Sequence, residues 1–253
     1  MTTRKKSESG SVKPLIGLIA SVPPEGKNIV RKLGLTKVKT LAADQSSYRG
    51  SAGSNDILYA VSGIGKTNAS HTATWMIREF SPEIIVNFGI GGAYPSAGLA
   101  VGDIAIASKE VYTDEGVILQ SGLQPLEMIG IPFLNTGRRM YYNEFPLDAV
   151  LGETALNAAG LYCRARLGTF ATVSACTGTK ERAEELSRRH GAICENMEGA
   201  AVAHICLRYG IPCLEIRGIS NIAEERDTGG WDIELAGSSC QRAVLDLLRM
   251  LRK

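Results

Sequence analysis

The sequence predicts one α/β domain, built on a mostly parallel mixed sheet flanked by helices, and three observations carry that reading. Short apolar runs alternate along the chain with longer stretches of helical period, as βα units do. No internal repeat or linker interrupts the alternation. With 253 residues, 44% of them apolar and 21% charged, the chain has the size and composition of a globular domain with a large core.

The elements follow in order. Residues 15–20 are a short apolar run ending at Ser21 and a Pro-Pro pair, which predicts a buried first strand. A helix is expected over 25–33, and a second clear strand over 56–61, closed by Ser62-Gly63-Ile64-Gly65. From Lys66 the period changes: Ala69, Ala73, Ile77 and Phe80 share one helical face, and Ser81-Pro82 ends it. Residues 83–88 read as a strand running into Gly89-Ile90-Gly91-Gly92, with weaker strands over 103–107 and 116–119. Residues 120–146, rich in Gly, Pro and aromatics, are expected to be irregular; so long a stretch in a compact domain is usually functional or interfacial. Helices over 147–159, 180–190 and 198–209 alternate with strands over 170–174 and 211–216. A last helix runs to Lys253, its Val244, Leu247, Leu248 and Leu251 stripe being ordinary core packing.

Charge and composition exclude several function classes. A net charge of +2, with no Lys/Arg run interleaved with aromatics beyond the N-terminal segment, argues against a nucleic-acid surface. No apolar run approaches the length of a membrane span. Residues 1–13 are polar and basic without a following apolar segment, which predicts a disordered tail rather than a signal peptide. Cys163, Cys176, Cys194, Cys206, Cys213 and Cys240 show no C-x-x-C spacing, so reduced thiols and a cytoplasmic location are expected. Three scattered histidines without an H-E-x-x-H pattern point to no metal and no cofactor.

Two stretches carry the chemistry: Glu195-Asn196-Met197-Glu198-Gly199-Ala200-Ala201 and Ile219-Ser220-Asn221. Glu198 opens a predicted helix, and Asn221 follows a predicted strand. A carboxylate can accept from two vicinal hydroxyls, while an amide both donates and accepts on a base edge. That combination points to a nucleoside-like small molecule. Three glycine clusters bear on it. Ala60 to Thr67 fits a loosened phosphate loop ending in Gly65-Lys66-Thr67, the pattern of a nucleotide triphosphatase, but no later strand ends in an Asp placed for magnesium. Gly89-Ile90-Gly91-Gly92 fails the dinucleotide fingerprint because Tyr94 holds the third glycine position; it is either a tight turn or a close approach of backbone to ligand. Thr177-Gly178-Thr179 either caps the next helix or presents backbone groups to a base, and both readings can hold.

The motifs Ile16-Gly-Leu-Ile-Ala-Ser-Val-Pro-Pro-Glu25, Ser62-Gly-Ile-Gly-Lys-Thr-Asn-Ala69, Asn87-Phe-Gly-Ile-Gly-Gly92, Val101-Gly-Asp103, Asn196-Met-Glu-Gly-Ala-Ala201 and Arg217-Gly-Ile-Ser-Asn221 occur in one order and spacing. In this the chain resembles the nucleoside phosphorylase and nucleosidase superfamily, from about Pro14 onward. Met197-Glu198-Gly-Ala-Ala with Ile219-Ser220 is the specific part; Ser-Gly-Ile-Gly alone is weak. Thr172 to Thr179, and Ile219 to Asp227 with Trp231-Asp232-Ile233, are similar to a hydrolase branch that frees hypoxanthine from a nucleoside extended at its 5′ position.

The resemblance implies roles. Glu25 activates the attacking water, Glu198 binds the ribose hydroxyls, and Met197 packs against the sugar. Backbone around Gly91 and Gly92 lines the sugar and water site, Asn221 faces N7 of the purine, and Thr177, Gly178 and Thr179 edge the base. Asp227 and Trp231 are either substrate contacts or loop anchors, with equal weight. Each acid taken alone is also an ordinary helix N-terminal acid placed for the macrodipole; joint occurrence with the glycine clusters and Asn221 lifts both above that reading. The adenine-directed nucleosidases carry Asp where this chain has Asn221, and usually Glu where it has Asn196, which implies a 6-oxopurine. The superfamily phosphorylases place an arginine and a hydroxyl where this chain has Asn87 and Ile90. Arg31, Arg49, Arg138 and Arg139 lie outside any matching motif, so water rather than phosphate is the expected nucleophile. The alternatives are an adenine-type nucleosidase, a phosphorylase, the triphosphatase, and a binding module without catalysis. The resemblance and the aromatics Tyr141, Tyr142 and Phe145 also imply a homo-oligomer.

Overall fold

The structure, a computed structural model, describes residues 13–38, 45–225 and 228–251. The expected tail over 1–13, Lys13 apart, and Asp227 lie outside the described residues. Strand β1 (Leu15–Ala20) leads into helix α1 (Pro23–Leu33). An antiparallel run follows, β2 (Thr36–Val38), β3 (Ser46–Ala52) and β4 (Asn55–Val61), then α2 (Lys66–Phe80). Next come β5 (Ile84–Ala93), β6 (Ile104–Tyr112), and the short pieces β7 (Val117–Leu119), β8 (Gly122–Gln124), β9 (Leu134–Asn135), β10 (Met140–Tyr141) and β11 (Glu144–Pro146). Then α3 (Ala149–Ala159), β12 (Ala165–Thr172), α4 (Lys180–His190), β13 (Ala192–Asn196), α5 (Gly199–Tyr209), β14 (Cys213–Ile222) and α6 (Ile233–Met250) complete the order.

One mixed sheet organises these elements. β1 lies between β4 and β5, parallel to both, and β3 and β2 extend the far edge antiparallel. The other end of the sheet curls. β14 pairs parallel with β5 and antiparallel with β6, while β6, β12, β13 and β5 are joined in turn on the other side. Five strands therefore close on themselves, and the ends of β5, β13 and β14 meet at one rim. Helices α2 and α5 cover one face over a core that includes Leu58, Met76, Ile85 and Val202; α1, α3 and α6 cover the other over Leu18, Phe88, Ile106 and Val244.

Several boundaries differ from expectation for identifiable reasons. β3, with the sequence SSYRGSA, is an alternately exposed strand near the edge, and its polar composition hides it from a search for apolar runs. β13 is fully buried yet ends in Glu195 and Asn196, so its apolar run is only Ala192-Ile193-Cys194, too short to stand out. β5 does not stop at Phe88: it runs through Gly89 to Ala93, so the second glycine cluster is strand and not turn. β14 likewise continues through Ser220 and Asn221.

Candidate active site

The rim where β5, β13 and β14 converge with the start of α1 opens into a cavity of about 300 Å³. Glu25, Gly91, Gly92, Thr177, Met197, Glu198, Asn221 and Trp231 all line it. Gly178 and Thr179 do not: both are exposed, and Thr179 Oγ1 accepts the Arg182 amide at 3.2 Å as the N-cap of α4. Capping, of the two readings open for that cluster, is what the structure displays at Thr179.

Glu25 stands in the first turn of α1, where an acid reaches back to unpaired amides. Its Oε2 accepts from Ser21 N at 3.0 Å and Val22 N at 3.1 Å, and its Oε1 accepts from Ile90 N at 2.9 Å. Burial pushes its pKa upward, opposed by the Arg217 guanidinium and by the Ile90 and Val22 amides. The approach to β5 explains one glycine: a methyl at Gly89 would lie 2.4 Å from Oε1 of Glu25.

Glu198 is the N-cap residue of α5. Its Oε1 accepts from Gly65 N at 2.9 Å, and its Oε2 faces Nη2 of Arg217 at 3.3 Å. Arg217 is 2% exposed. Its Nε donates to Glu215 Oε1 at 2.8 Å and its Nη1 to Ile90 O at 3.2 Å. Burial works against its charge, but Glu215, Glu198 and Glu25 hold its pKa above even the usual guanidinium value. Removing one partner of such a buried pair would leave an uncompensated charge in a dry site.

The side of the cavity that Gly92, Glu195 and Asn221 line is set by register. Gly92 pairs with Glu195 of β13 on one side and with Asn221 of β14 on the other, where a shift at Ser220 interrupts the ladder. A bulge of this kind re-aims the side chain that follows it. Asn221 Oδ1 accepts from Ser220 Oγ at 2.8 Å, and its Nδ2 donates to Ile222 O at 3.1 Å. Glu195 accepts from Thr177 N at 3.1 Å, Thr177 Oγ1 at 2.5 Å and the Tyr94 hydroxyl at 3.2 Å.

Sequence reasoning missed Arg217 and Glu195 as site members, although both stand inside the quoted motifs. The available signal was a charged residue at an otherwise apolar strand position. Asn196, noted only as a departure, is a structural cap: its Oδ1 accepts from Glu198 N at 2.9 Å and Gly199 N at 2.6 Å. The phosphate-loop reading loses its parts. Lys66 pairs with Asp114 and, at 3.0 Å, with Glu115, and the Gly65 amide is directed to Glu198. Among the described residues, no group of three or more His, Cys, Asp or Glu side chains is disposed to hold a metal ion, and no helix is long and apolar enough to cross a membrane.

Fold and site together define a class. A sequence model of the Phosphorylase superfamily matches residues 15–253, and the chain belongs to that superfamily. Within it, futalosine hydrolase of Thermus thermophilus is 40% identical over 202 residues, covering 80% of this chain and 85% of that protein. The 5′-methylthioadenosine/S-adenosylhomocysteine nucleosidase of Shewanella oneidensis is 29% identical over 239 residues, covering 92% and 94%. Among solved structures, native futalosine hydrolase of Helicobacter pylori superposes with a TM-score of 0.80 at 23% identity, over 94% of this chain and 98% of that one. The Neisseria meningitidis nucleosidase in complex with methylthio-immucillin-A gives 0.80 at 23%, over 94% and 99%.

Proposed function

We propose that the protein hydrolyses the N-glycosidic bond of futalosine, releasing hypoxanthine, and that water is the nucleophile. The observation that carries this reading is the pairing of two buried carboxylates across one cavity: Glu25 at the start of α1 and Glu198 at the start of α5, both facing Arg217. Breaking an N-glycosidic bond builds positive charge on the sugar and negative charge on the base. Glu198 accepts from the ribose hydroxyls and its charge stabilises the cationic sugar. Glu25, with burial raising its pKa toward the working range, takes the proton of the attacking water. Asn221 donates to N7 or O6 of the departing base.

Phosphate is disfavoured as nucleophile by the same geometry. Each guanidinium nitrogen of Arg217 already has an acceptor, and the Ile90 amide serves Glu25. A dianion entering there would meet a carboxylate instead of a free arginine fork. The adenine-directed reading is disfavoured by Asn221, which cannot protonate N7. The 40% identical relative supports futalosine as substrate.

On this reading the enzyme serves menaquinone biosynthesis in the cytoplasm. We also propose that it works as a homo-oligomer. Ile118, Met128, Ile131 and Met140, in the stretch between β6 and β11, are 82%, 57%, 62% and 54% exposed, apolar side chains that a second copy would cover.

The test is incubation with futalosine, inosine and methylthioadenosine, with and without phosphate and ATP, resolving the released bases. Hypoxanthine freed from futalosine without phosphate is expected. Release that requires phosphate and yields a sugar phosphate overturns the reading.

A further inference from the structure

The proposed chemistry leaves two buried carboxylates unused. Glu110 on β6 and Glu215 on β14 are 0% and 1% exposed. Their head groups meet beneath the first turn of α5, where a methyl at Gly199 would lie 2.1 Å from Oε1 of Glu110 and 2.2 Å from Oε2 of Glu215. Only glycine admits the two oxygens there. Two ionised carboxylates at such range in a dry interior repel strongly, so the pair keeps one proton between them.

The remaining contacts of the pair lead to one place. Glu215 accepts from Nε of Arg217 at 2.8 Å, and Arg217 reaches the Glu198 carboxylate. Glu110 accepts from Asn196 Nδ2 at 2.7 Å and from Thr172 Oγ1 at 2.6 Å. Asn196 in turn accepts the amides of Glu198 and Gly199, and Thr172 Oγ1 accepts that of Ala200 at 2.7 Å.

We propose that Glu110 and Glu215 are positioning residues: a carboxyl pair sharing one proton, which fixes Glu198 from two sides. One arm runs through Arg217 onto its carboxylate. The other runs through Asn196 and Thr172 onto the start of its helix. That Glu198 holds the ribose rests on the function proposed above; the shared proton does not.

The groups facing the pair are Arg217 and Cys213 from β14, Cys194 from β13 and Tyr112 from β6, with Glu198 and Glu25 beyond Arg217. Burial raises the pKa of Cys194 and of Tyr112, and a hydrogen bond to Cys206 together with burial raises that of Cys213, so these three are neutral. Arg217 is the cation among them. Burial and the charge of Glu215 push Glu110 well above the ordinary carboxylate range. The pair therefore gives up its proton only at a pH above that at which an ordinary carboxyl ionises.

Glu215→Gln copies the protonated pair: its amide N–H stands in for the shared proton, and its oxygen keeps Arg217. Glu215→Ala is expected to raise KM for futalosine about tenfold or more at neutral pH, the effect of one lost charged hydrogen bond. Its kcat should fall less, and Glu215→Gln should restore KM to near the wild-type value. As rising pH removes the shared proton the wild-type KM rises, and that limb is missing in Glu215→Gln. Infrared spectra at neutral pH, where ordinary carboxyls are ionised, should show a protonated carboxyl band that Glu110→Gln and Glu215→Gln abolish and Glu25→Gln retains. A KM limb that rises with pH in both wild type and Glu215→Gln overturns the proposal. So does a carboxyl band that is absent from the wild type or survives both pair variants. A wild type that cleaves no nucleoside sinks the proposed function instead, and the infrared measurement still decides whether the pair holds a proton.

Discussion

The Glu25 carboxylate accepts the amide of Ile90 at 2.9 Å, tying the start of α1 to the glycine stretch of β5. The carbonyl of the same residue, in the next peptide group, accepts from Arg217 Nη1 at 3.2 Å. One residue of β5, through its amide and its carbonyl, thus sets the spacing between a buried acid and the cation that faces it. The glycines around it serve close approach within an extended strand, since a side chain at Gly89 would displace Glu25.

Glu25→Gln is expected to lower kcat by about 10²–10⁴-fold, the usual contribution of a positioned base, with KM changed only a few fold. The base works ionised, so activity falls as pH drops through its pKa. Burial raises that pKa, which moves the acid limb of kcat upward from where an exposed carboxylate would place it. Steady-state kinetics across pH test both statements. Near-normal turnover in the variant, or a limb at ordinary carboxylate pH, would mean that another group is the base.

Glu198→Gln should impair kcat and KM together, because an amide cannot accept from both ribose hydroxyls as a carboxylate does. It should also lower stability. Arg217 loses one of its two carboxylate partners in a dry site, although it keeps Glu215. A loss of about 1.5–3 kcal/mol is expected from the charged hydrogen bond. Denaturant unfolding of the two proteins measures it, and an unchanged midpoint would place the Arg217 contact outside the stability of the fold.

Asn221→Asp should raise activity on adenine nucleosides relative to the wild type, even where futalosine cleavage falls. Departing hypoxanthine spreads its negative charge onto O6, so an amide donor suffices. Adenine leaves well only when N7 is protonated, which an amide cannot do. Because a side-chain amide can also pair with N6 and N7 of adenine, the discrimination belongs in turnover more than in binding. Rates on paired inosine-type and adenosine-type substrates check it; an unchanged ratio in the Asp variant would free Asn221 of the base preference.

His204 on α5 stacks on Phe145 at 4.6 Å between ring centroids, with Tyr112 and Phe133 at its edges. Burial, helped by Arg208, holds its pKa down to about 4. The folded state therefore prefers the neutral ring. Its contribution to stability is complete above the unfolded pKa of about 6.5 and is lost as pH falls toward the folded value. Replacing His204 with Leu should flatten the fall in stability across that interval, as read from unfolding midpoints at a series of pH values. An identical slope in both proteins would show that His204 does not titrate there.

Much of this architecture is legible in the chain because it is local. The helical period of 66–80 and the charged run of 180–190 yield α2 and α4 within their observed bounds. The 195–201 and 219–221 stretches announce a carboxylate at a helix start and an amide near a strand end, since both depend on spacing within a few residues. The Val244, Leu247 and Leu248 stripe is buried as its period requires.

What the tertiary structure alone decided is which distant residues become neighbours. Glu110 and Glu215 read in the sequence as unremarked acids in apolar runs; they meet only because β14 closes the sheet between β5 and β6. Arg217 enters the cavity, and Gly92 comes to lie between Glu195 and Asn221, through strand register and a one-residue bulge. β13 buries Glu195 and Asn196 along with its apolar residues, because that acid and amide find hydrogen-bond partners on other elements. Hydrophobic period records what a segment buries against solvent. It carries no information on the partner that makes a buried charge tolerable, and that partner lies elsewhere in the chain.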